Sequence, residues 1–526
     1  MEQRRPFRRG QPQLTESSVM PDLSAQFATA GPAPLVPPAL LELPEKVLQF
    51  GTGVLLRGLP DYLIDKANRQ GLFNGRIVVV KSTDGGDIDA FRRQDSLYTL
   101  SIRGIEDGRA VAEEVVCAAI SRVLSARSQW AEVLACAANP ALTVVLSNTT
   151  EVGIQLVPDD ISQSPPESFP GKLLAFLLAR YRAFGGDKSK GLVIVPTELI
   201  PDNGTKLEGI LLEQAHRNGL DAEFIDWLET ANQVCNSLVD RIVPGRPAPA
   251  AQSALEASLG YHDELLTSSE TYTLWAIEGD ERVKQVLSFE AADAGVIVQP
   301  DINLFRELKL RLLNGTHTLS CGLAFLAGFG TVREAMDDAN MAGFIHNLML
   351  ADLLPGIPYA VNEKVGQRFG MQVLDRFRNP AIEHRWLAIT LNYTAKMQMR
   401  NVPTLLHYYR QLQAVPHYLA LGFAAYLLFM RGTRQDEKGQ WLGEASGESY
   451  PIQDEKAGYF ADLWQRLSPA DLVRAVLHNQ ALWGHDLLAL PGFADCVTRY
   501  LEQLLEPGPR ATMARLLKRE GAAASL

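Results

Sequence analysis

The sequence predicts an α/β N-terminal domain on a mostly parallel sheet, followed by a mainly α-helical C-terminal domain. Three observations carry that expectation. Short β-branched runs alternate with helical spacings up to about residue 300. The first of these strands runs into Gly51-Thr52-Gly53, and beyond Leu304 almost every segment has helical periodicity. A chain of 526 residues exceeds one ordinary core, so two large domains are expected. The boundaries are set as a flexible leader over 1–43, a dinucleotide-binding domain over 44–300 and a helical substrate and catalytic domain over 301–526.

The leader is polar, then rich in Pro and Ala (GPAPLVPPALLELP), with no sustained periodicity. Lys46 to Phe50 is a short strand, and LLRGLPDYLIDKANRQGL has helical spacing despite Pro60. Ile77 to Val80 (IVVV) has the continuous β-branched character of a strand buried on both faces. Strand, glycine turn, helix and strand make a βαβ unit. Val116 to Ala126 and Trp130 to Ala138 read as helices, and Leu142 to Leu146 as another buried strand ending in the polar cluster Ser147 to Glu151. Gly171 to Tyr181 is helical, and Leu192 to Val195 is a strand leading into PTELIPDNG. Ligands of open α/β sheets bind outside the carboxyl ends of the strands, so these polar ends are candidates for one crevice. Short strands return between Thr271 and Gln299. The helical region follows, with a glycine- and charge-rich loop over Thr433 to Asp454.

Composition excludes several classes. A formal charge of −11 argues against a nucleic-acid partner. Five scattered cysteines without a CxxC pair fit neither a zinc knuckle nor a disulfide framework, and suit a reducing cytoplasm. The nine histidines include no HExxH, so no metal site is expected. The longest apolar run, Tyr418 to Met430, falls short of the roughly 20 residues that span a bilayer and reads as a buried helix. No signal peptide is expected, because no uninterrupted apolar stretch follows the early basic residues.

The chemistry centres on Glu307 to Gly322, ELKLRLLNGTHTLSCG. On an ideal helix Lys309, Asn314 and His317 fall at about 0°, 140° and 80°, one broad face. Lys309 would lie about 12 Å along the axis from His317, a gap to be closed by its stem or by a bend near Gly315. A partly exposed helix with a solvated lysine is the alternative. Gly51 and Gly53 give two-thirds of a Rossmann-type fingerprint, with Leu56 where the third glycine would stand. The acidic residue that usually binds the adenosine ribose is replaced by Lys81-Ser82-Thr83-Asp84. Lys81 favours a 2′-phosphate and hence NADP, whereas Asp84 favours NAD, and both readings stand.

Hydride transfer to a ketone develops negative charge on oxygen, which needs a proton donor and fixed hydrogen-bond donors. A lysine serves if desolvation or a nearby cation lowers its pKa from about 10.4. Lys309, Asn314, His317 and a further asparagine from the other domain would make a metal-free reductase site. Asn203 in PDNG is the natural fourth member, with a plain Asn-Gly turn as the equal alternative.

GTGVLLRG, SNTTEVGI, PTELIPDNG, NSLVDRIVP, KLRLLNGTHT and DRFRNPAIEHR resemble, in this order, the motifs of the long-chain mannitol dehydrogenase family, from about residue 46 to 430. The resemblance implies Lys309 as general acid/base, with Asn203, Asn314 and His317 polarising and orienting the reacting oxygen. It implies that Gly51 and Gly53 cradle a pyrophosphate and that Asn148, Thr149 and Glu151 lie near the nicotinamide of NAD. SNTTE, PTELI, YHD and RFRNPAIEH look most like the hexuronate-reducing members. That implies reversible reduction of D-tagaturonate to D-altronate in hexuronate catabolism, with mannitol–fructose or mannonate–fructuronate chemistry as the alternative. A sugar acid carries a carboxylate and needs a cation. Arg376 is the first candidate because its planar fork binds carboxylates bidentately. His384 and Lys396 follow, with a structural ion pair as the competing role for Arg376. Asp240 is a candidate partner for a cation in the cleft.

Overall fold

The computed structural model describes residues 20–82, 88–149 and 153–523, so the expectations for Asp84 and Glu151 fall outside the described residues. Strands β1 (Glu45–Phe50) and β2 (Arg76–Lys81) are followed by a long hairpin, β3 (Tyr98–Glu106) and β4 (Arg109–Cys117). Then come β5 (Ile120–Ser125), β6 (Val144–Ser147), β7 (Val193–Pro196) and β8 (Gln233–Val234). Six of these strands form one parallel sheet in the order β5-β2-β1-β6-β7-β8.

The β-branched runs do what their composition demands. Successive side chains point to opposite faces, and the buried residues divide accordingly. Val47, Ile77, Val79, Val144, Leu146, Val193 and Val195 enter one apolar cluster. Leu48, Phe50, Val78, Val80, Val145 and Ile194 enter another. Helix Tyr62–Arg69 covers the first face, and helices Phe169–Ala183 and Asn203–Arg217 cover the second. Each fully buried Val, Leu or Ile contributes roughly 1.5–3 kcal/mol, and the buried polar residue of β1, Gln49, is accommodated by donating to Asp61.

Two small sheets carry the chain towards the C-terminal half. Strand β9 (Ser237–Asp240) pairs with β11 (Leu274–Glu278), which also pairs with β12 (Val296–Gln299). Strand β10 (Thr267–Glu270) pairs with β3. Asp240 and Glu270 thus stand at two strand ends. After residue 300 one apolar cluster runs from Leu308 to Leu516, while the sheet's clusters lie between Val47 and Val298. Helix His417–Phe429, expected from its apolar run, is buried on nearly all sides.

Three expectations are corrected. Val116 to Ala126 is strand rather than helix: Cys117 closes β4 and β5 pairs with β2 at the sheet edge. Its β-branched residues obeyed the strand period, which short apolar runs do not distinguish from a helical one. The Thr433 to Asp454 loop contains a small antiparallel sheet of Arg434–Gln435, Trp441–Ala445 and Glu448–Pro451. Residues 20–43 of the presumed leader are packed, because Leu23, Ala28, Val36 and Leu40 are buried against Leu97, Val116, Ala118 and Tyr261.

Candidate active site

Strands β1 and β6 are neighbours, and the chain leaves them towards opposite halves of the sheet. Their carboxyl ends mark the switch point where such sheets bind ligands. Gly51 sits there at φ +124°, and a Cβ on it would come within 2.8 Å of the Asn148 carbonyl oxygen. Only glycine suits that conformation and that approach. Gly53 is different: a Cβ there would meet nothing within 4 Å. Gly53 precedes a continuous helical run from Val54 to Arg69, and the first N–H groups of such a run have no partner within the helix. Pro60 lies within a π-helical turn, Arg57–Asp61, whose wider i→i+5 register accommodates a residue with no N–H. Arg57 braces the glycine turn by donating to the Thr52 carbonyl at 2.9 Å.

The polar ends of β6 and β7 are locked together. The Asn148 amide donates to the carbonyl and hydroxyl oxygens of Thr197, both at 3.0 Å. Glu198 accepts from the Thr149 backbone N–H at 2.8 Å, the Thr149 hydroxyl at 3.0 Å and the Ser147 hydroxyl at 3.1 Å. Sequence reasoning passed over Glu198, which shapes this crevice wall. Lys81 closes β2 and is buried. An open glycine turn, an unpaired helix start and a fixed polar strand end fit a dinucleotide.

Asn203 is not available to a reacting oxygen. It is fully buried, and its amide donates to the carbonyls of Pro196, Glu198 and Ser237 while its oxygen accepts from the N–H groups of Gly204 and Ser237. The Asn-Gly turn reading prevails, since a side chain with every donor and acceptor engaged has none left for a ligand.

The helix that carries Lys309 is not straight. Lys309–Gly315 forms a π-helical stretch before α-helix Thr316–Leu326. Its i→i+5 register aligns Lys309 with Asn314, and His317 follows three residues later on the α-helical turn. The wide turn, not a bend at Gly315, is where the helix departs from ideal geometry. A second π-helical stretch, Met397–Asn401, lies alongside. Arg311 donates to the carbonyls of Met399 and Arg400, both at 2.8 Å, and the Asn401 amide donates to the Gly315 carbonyl at 3.2 Å.

Lys309 points across the domain seam. Its Nζ donates to the Val239 carbonyl at 2.9 Å and lies 3.9 Å from Asp240 Oδ1. Burial pulls the Lys309 pKa below its ordinary value, with Asp240 pulling upward and Arg376 downward. His317 is buried, stacked on Phe377 at 4.2 Å and edge-on to His384 at 4.9 Å. Burial first, then the charges of its neighbours, hold its pKa well below the ordinary range, so the ring is neutral. Its Nε2 is buried without a protein partner, and the Asn314 amide makes no hydrogen bond among the described residues. A lysine of lowered pKa, a free amide and a neutral imidazole can donate a proton to one oxygen and hold it in place.

Arg376 takes the structural role. Its guanidinium grips Asp240 at 2.8 and 3.0 Å and Glu270 at 2.8 and 3.0 Å. Both edges of the fork are engaged, so a substrate carboxylate finds no free pair of donors. Burial pushes both acids up. Arg376 and Lys309 together bring Asp240 below its ordinary value, whereas Glu270, farther from the lysine and repelled by Asp240, stays above. The acceptor Glu270 was missed from sequence because nothing local links it to Arg376. His384 is half-buried, with its pKa lowered by burial and then by Arg376 and Lys396. Lys396 donates to the Ile389 carbonyl at 2.9 Å, and its pKa is lowered by burial and then by Arg400. A cavity of about 520 Å³ opens at the seam beside Arg376 and is lined by Tyr272, Phe305 and Phe369, but it excludes Lys309, Asn314 and His317. Among the described residues, no group of three His, Cys, Asp or Glu side chains is placed to hold a metal ion.

Residues 45–291 match the mannitol dehydrogenase Rossmann domain, and residues 301–505 match the mannitol dehydrogenase C-terminal domain. The altronate oxidoreductase of Halalkalibacterium halodurans is 39% identical over 91% of this chain and 94% of its own length. That of Bacillus subtilis is 38% identical over 89% of this chain and 94% of its own. Among solved structures, Pseudomonas fluorescens mannitol 2-dehydrogenase in ternary complex with NAD and D-mannitol superposes with a TM-score of 0.61 at 25% identity, covering 94% of this chain and 99% of that one. A substrate-free D-sorbitol dehydrogenase gives 0.68 at 22% identity, over 91% and 96% of the two chains. With its parallel-sheet domain, helical second half and matched length, the chain belongs to the mannitol dehydrogenase family and is an oxidoreductase acting on CH–OH groups.

Proposed function

We propose that this protein reversibly reduces D-tagaturonate to D-altronate with NAD(H), with Lys309 as general acid and base. One observation carries the chemical part. A half-buried lysine of lowered pKa lies on the same helical run as an amide and a neutral histidine Nε2 that have no hydrogen-bond partner among the described residues. The substrate part is supported by relatives named altronate oxidoreductase over about 90% of the chain, and the cofactor part by the NAD complex of a structural neighbour.

A bound nicotinamide supplies the hydride for reduction and accepts it in oxidation. Gly51, Gly53 and the helix start at Val54 would hold its pyrophosphate, and the Asn148–Thr149 strand end would flank the ring. In reduction, Lys309 gives its Nζ proton to the ketone oxygen as negative charge develops there. Asn314 donates a hydrogen bond to the same oxygen, and His317 Nε2 orients it. In oxidation, neutral Lys309 takes the hydroxyl proton. The Val239 carbonyl and Asp240 aim the amine in both directions. Remote binding and a fixed electrostatic setting both act on the transition state here.

The test is NADH oxidation by the purified protein with tagaturonate, fructuronate and fructose, repeated with NADPH and with a chelator present. Fast, chelator-insensitive turnover of tagaturonate with NADH is expected. Activity confined to fructose and mannitol would overturn the substrate assignment and leave the family membership intact.

A further inference from the structure

We propose that Arg400, supported by Lys396, binds the carboxylate of the sugar-acid substrate and sets the preference for acids over neutral polyols. This deepens the function proposed above and rests on it. Arg376 is removed from that role by its two buried carboxylates, which leaves the acid group without the partner expected from sequence.

Arg400 lies on the π-helical stretch packed against the one that carries Lys309 and Asn314. It is half-buried, and among the described residues no carboxylate pairs with it. Its side chain makes one hydrogen bond, from Nη1 to the Thr318 hydroxyl at 3.1 Å, and its Nε is buried without a partner. Other buried arginines in this protein are satisfied. Arg180 donates to the carbonyls of Lys190, Ala137, Asn139 and Leu142, and Arg241 donates to those of Glu270 and Gly58. Arg311 pairs with Glu307. Arg400 alone among these keeps donors open on the edge of the site.

Its neighbours point to the same ligand. Lys396 lies four residues earlier on the same run, also without a carboxylate among the described residues, and both cations are close enough to bear on His317. Thr318, which anchors Arg400, follows His317 directly on the catalytic helix. The site therefore has a proton-transfer residue at Lys309 and, beside His317, two cations at Arg400 and Lys396 with no carboxylate partner among the described residues. A cation held in partly desolvated surroundings without a counter-charge favours an anionic ligand, and a guanidinium edge with free N–H groups matches a carboxylate. A polyol has no group that would answer it.

The test compares binding of D-altronate and of its uncharged counterpart D-altritol to the protein–NAD complex, by calorimetry, in wild type, Arg400→Met and Arg400→Lys. Wild type is expected to favour altronate by about 100-fold, the scale of two charge-assisted hydrogen bonds. Arg400→Met should bring the two ligands to within about threefold of each other while NADH binding, read by fluorescence, is retained. Arg400→Lys should fall between, because it keeps the charge and loses the fork. If Arg400→Met weakens both ligands equally, or leaves the altronate preference intact, the assignment is overturned. A wild-type protein with no preference for altronate would overturn it too. A wild-type protein that prefers altronate through Arg400, yet fails to reduce tagaturonate, would sink the proposed reaction and leave this assignment standing.

Discussion

Arg376 holds Asp240 fork to fork, with Nη1 and Nη2 at 2.8 and 3.0 Å from its two carboxylate oxygens. The carboxylate fixed in this way stands 3.9 Å from Lys309 Nζ. A residue of the helical domain thus sets the position of an acid on strand β9, and that acid, after burial, bears on the charge of the Lys309 amine.

Replacing Arg376 with Leu should therefore damage stability more than an ordinary substitution. It would leave Asp240 and Glu270 buried beside each other without their shared cation, and breaking such a pair costs about 3–5 kcal/mol. The measurement is the urea unfolding midpoint. A variant as stable as wild type would show that water relieves both acids.

Lys309→Ala should lower turnover by about 10²–10⁴-fold, the usual contribution of a positioned acid or base, while NADH binding persists. The pH profile gives a sharper check. Altronate oxidation needs the neutral amine, so its rate should rise with pH through the Lys309 pKa. Tagaturonate reduction needs the ammonium and should fall through it. Asp240 favours the charged amine. Asp240→Asn removes that influence, and the limb of the oxidation profile should move to lower pH. A shift to higher pH would contradict the assignment of the limb to Lys309.

Gly51 and Gly53 should respond differently to alanine. Gly51→Ala forces a Cβ within 2.8 Å of the Asn148 carbonyl at φ +124°, so it should destabilise the fold. Gly53 has φ −64° and ψ 155°, which alanine adopts freely, and no protein atom within 4 Å of a Cβ. Gly53→Ala should melt like wild type and bind NADH at least tenfold more weakly, a loss of about 1.4 kcal/mol in binding. Unchanged NADH affinity would place the pyrophosphate elsewhere.

Asp61 gives a stability prediction of known sign. It is fully buried, accepts one long hydrogen bond from Gln49 at 3.3 Å, and burial pushes its pKa up to about 7. An unfolded aspartate titrates near 3.9, so the folded protein holds this proton more tightly. The stabilisation is complete below about pH 4 and is lost as pH rises through 7, by roughly 4 kcal/mol. Asp61→Asn should narrow the stability difference between pH 5 and pH 8 in denaturant melts. An undiminished difference would mean that other groups cause it.

Several features of the site were readable from residue order alone. Lys309, Asn314 and His317 stood out as three polar side chains on one stripe, although by themselves they fitted a partly exposed helix with a solvated lysine at least as well. The glycines at 51 and 53 stood out because they follow a strand. The paired register of the helix did not, since the π-helical turn over Lys309–Gly315 has no local sequence signal; its Arg311 is tied to the Met399 and Arg400 carbonyls, and Asn401 holds its Gly315 carbonyl from across the packing. Asn203 looked catalytic because nothing in PDNG shows that the Ser237 backbone will come to saturate its amide. Val116 to Ala126 looked helical because a short apolar run satisfies both periods, and only a place beside β2 selects the strand.

The sequence by itself determined the two fold classes, the buried parallel strands and the glycine turn, and it singled out Lys309, Asn314 and His317 as the proposed proton-transfer residues. These follow from periodicity, backbone permissiveness and side-chain chemistry, which act over a few residues. Tertiary structure alone decided which cation is free. Arg376 and Arg400 are equally basic in the chain, but folding brings Asp240 and Glu270, 136 and 106 residues away, against the first and no carboxylate among the described residues against the second. Electrostatic pairing acts through space and is settled only when the domains close on each other.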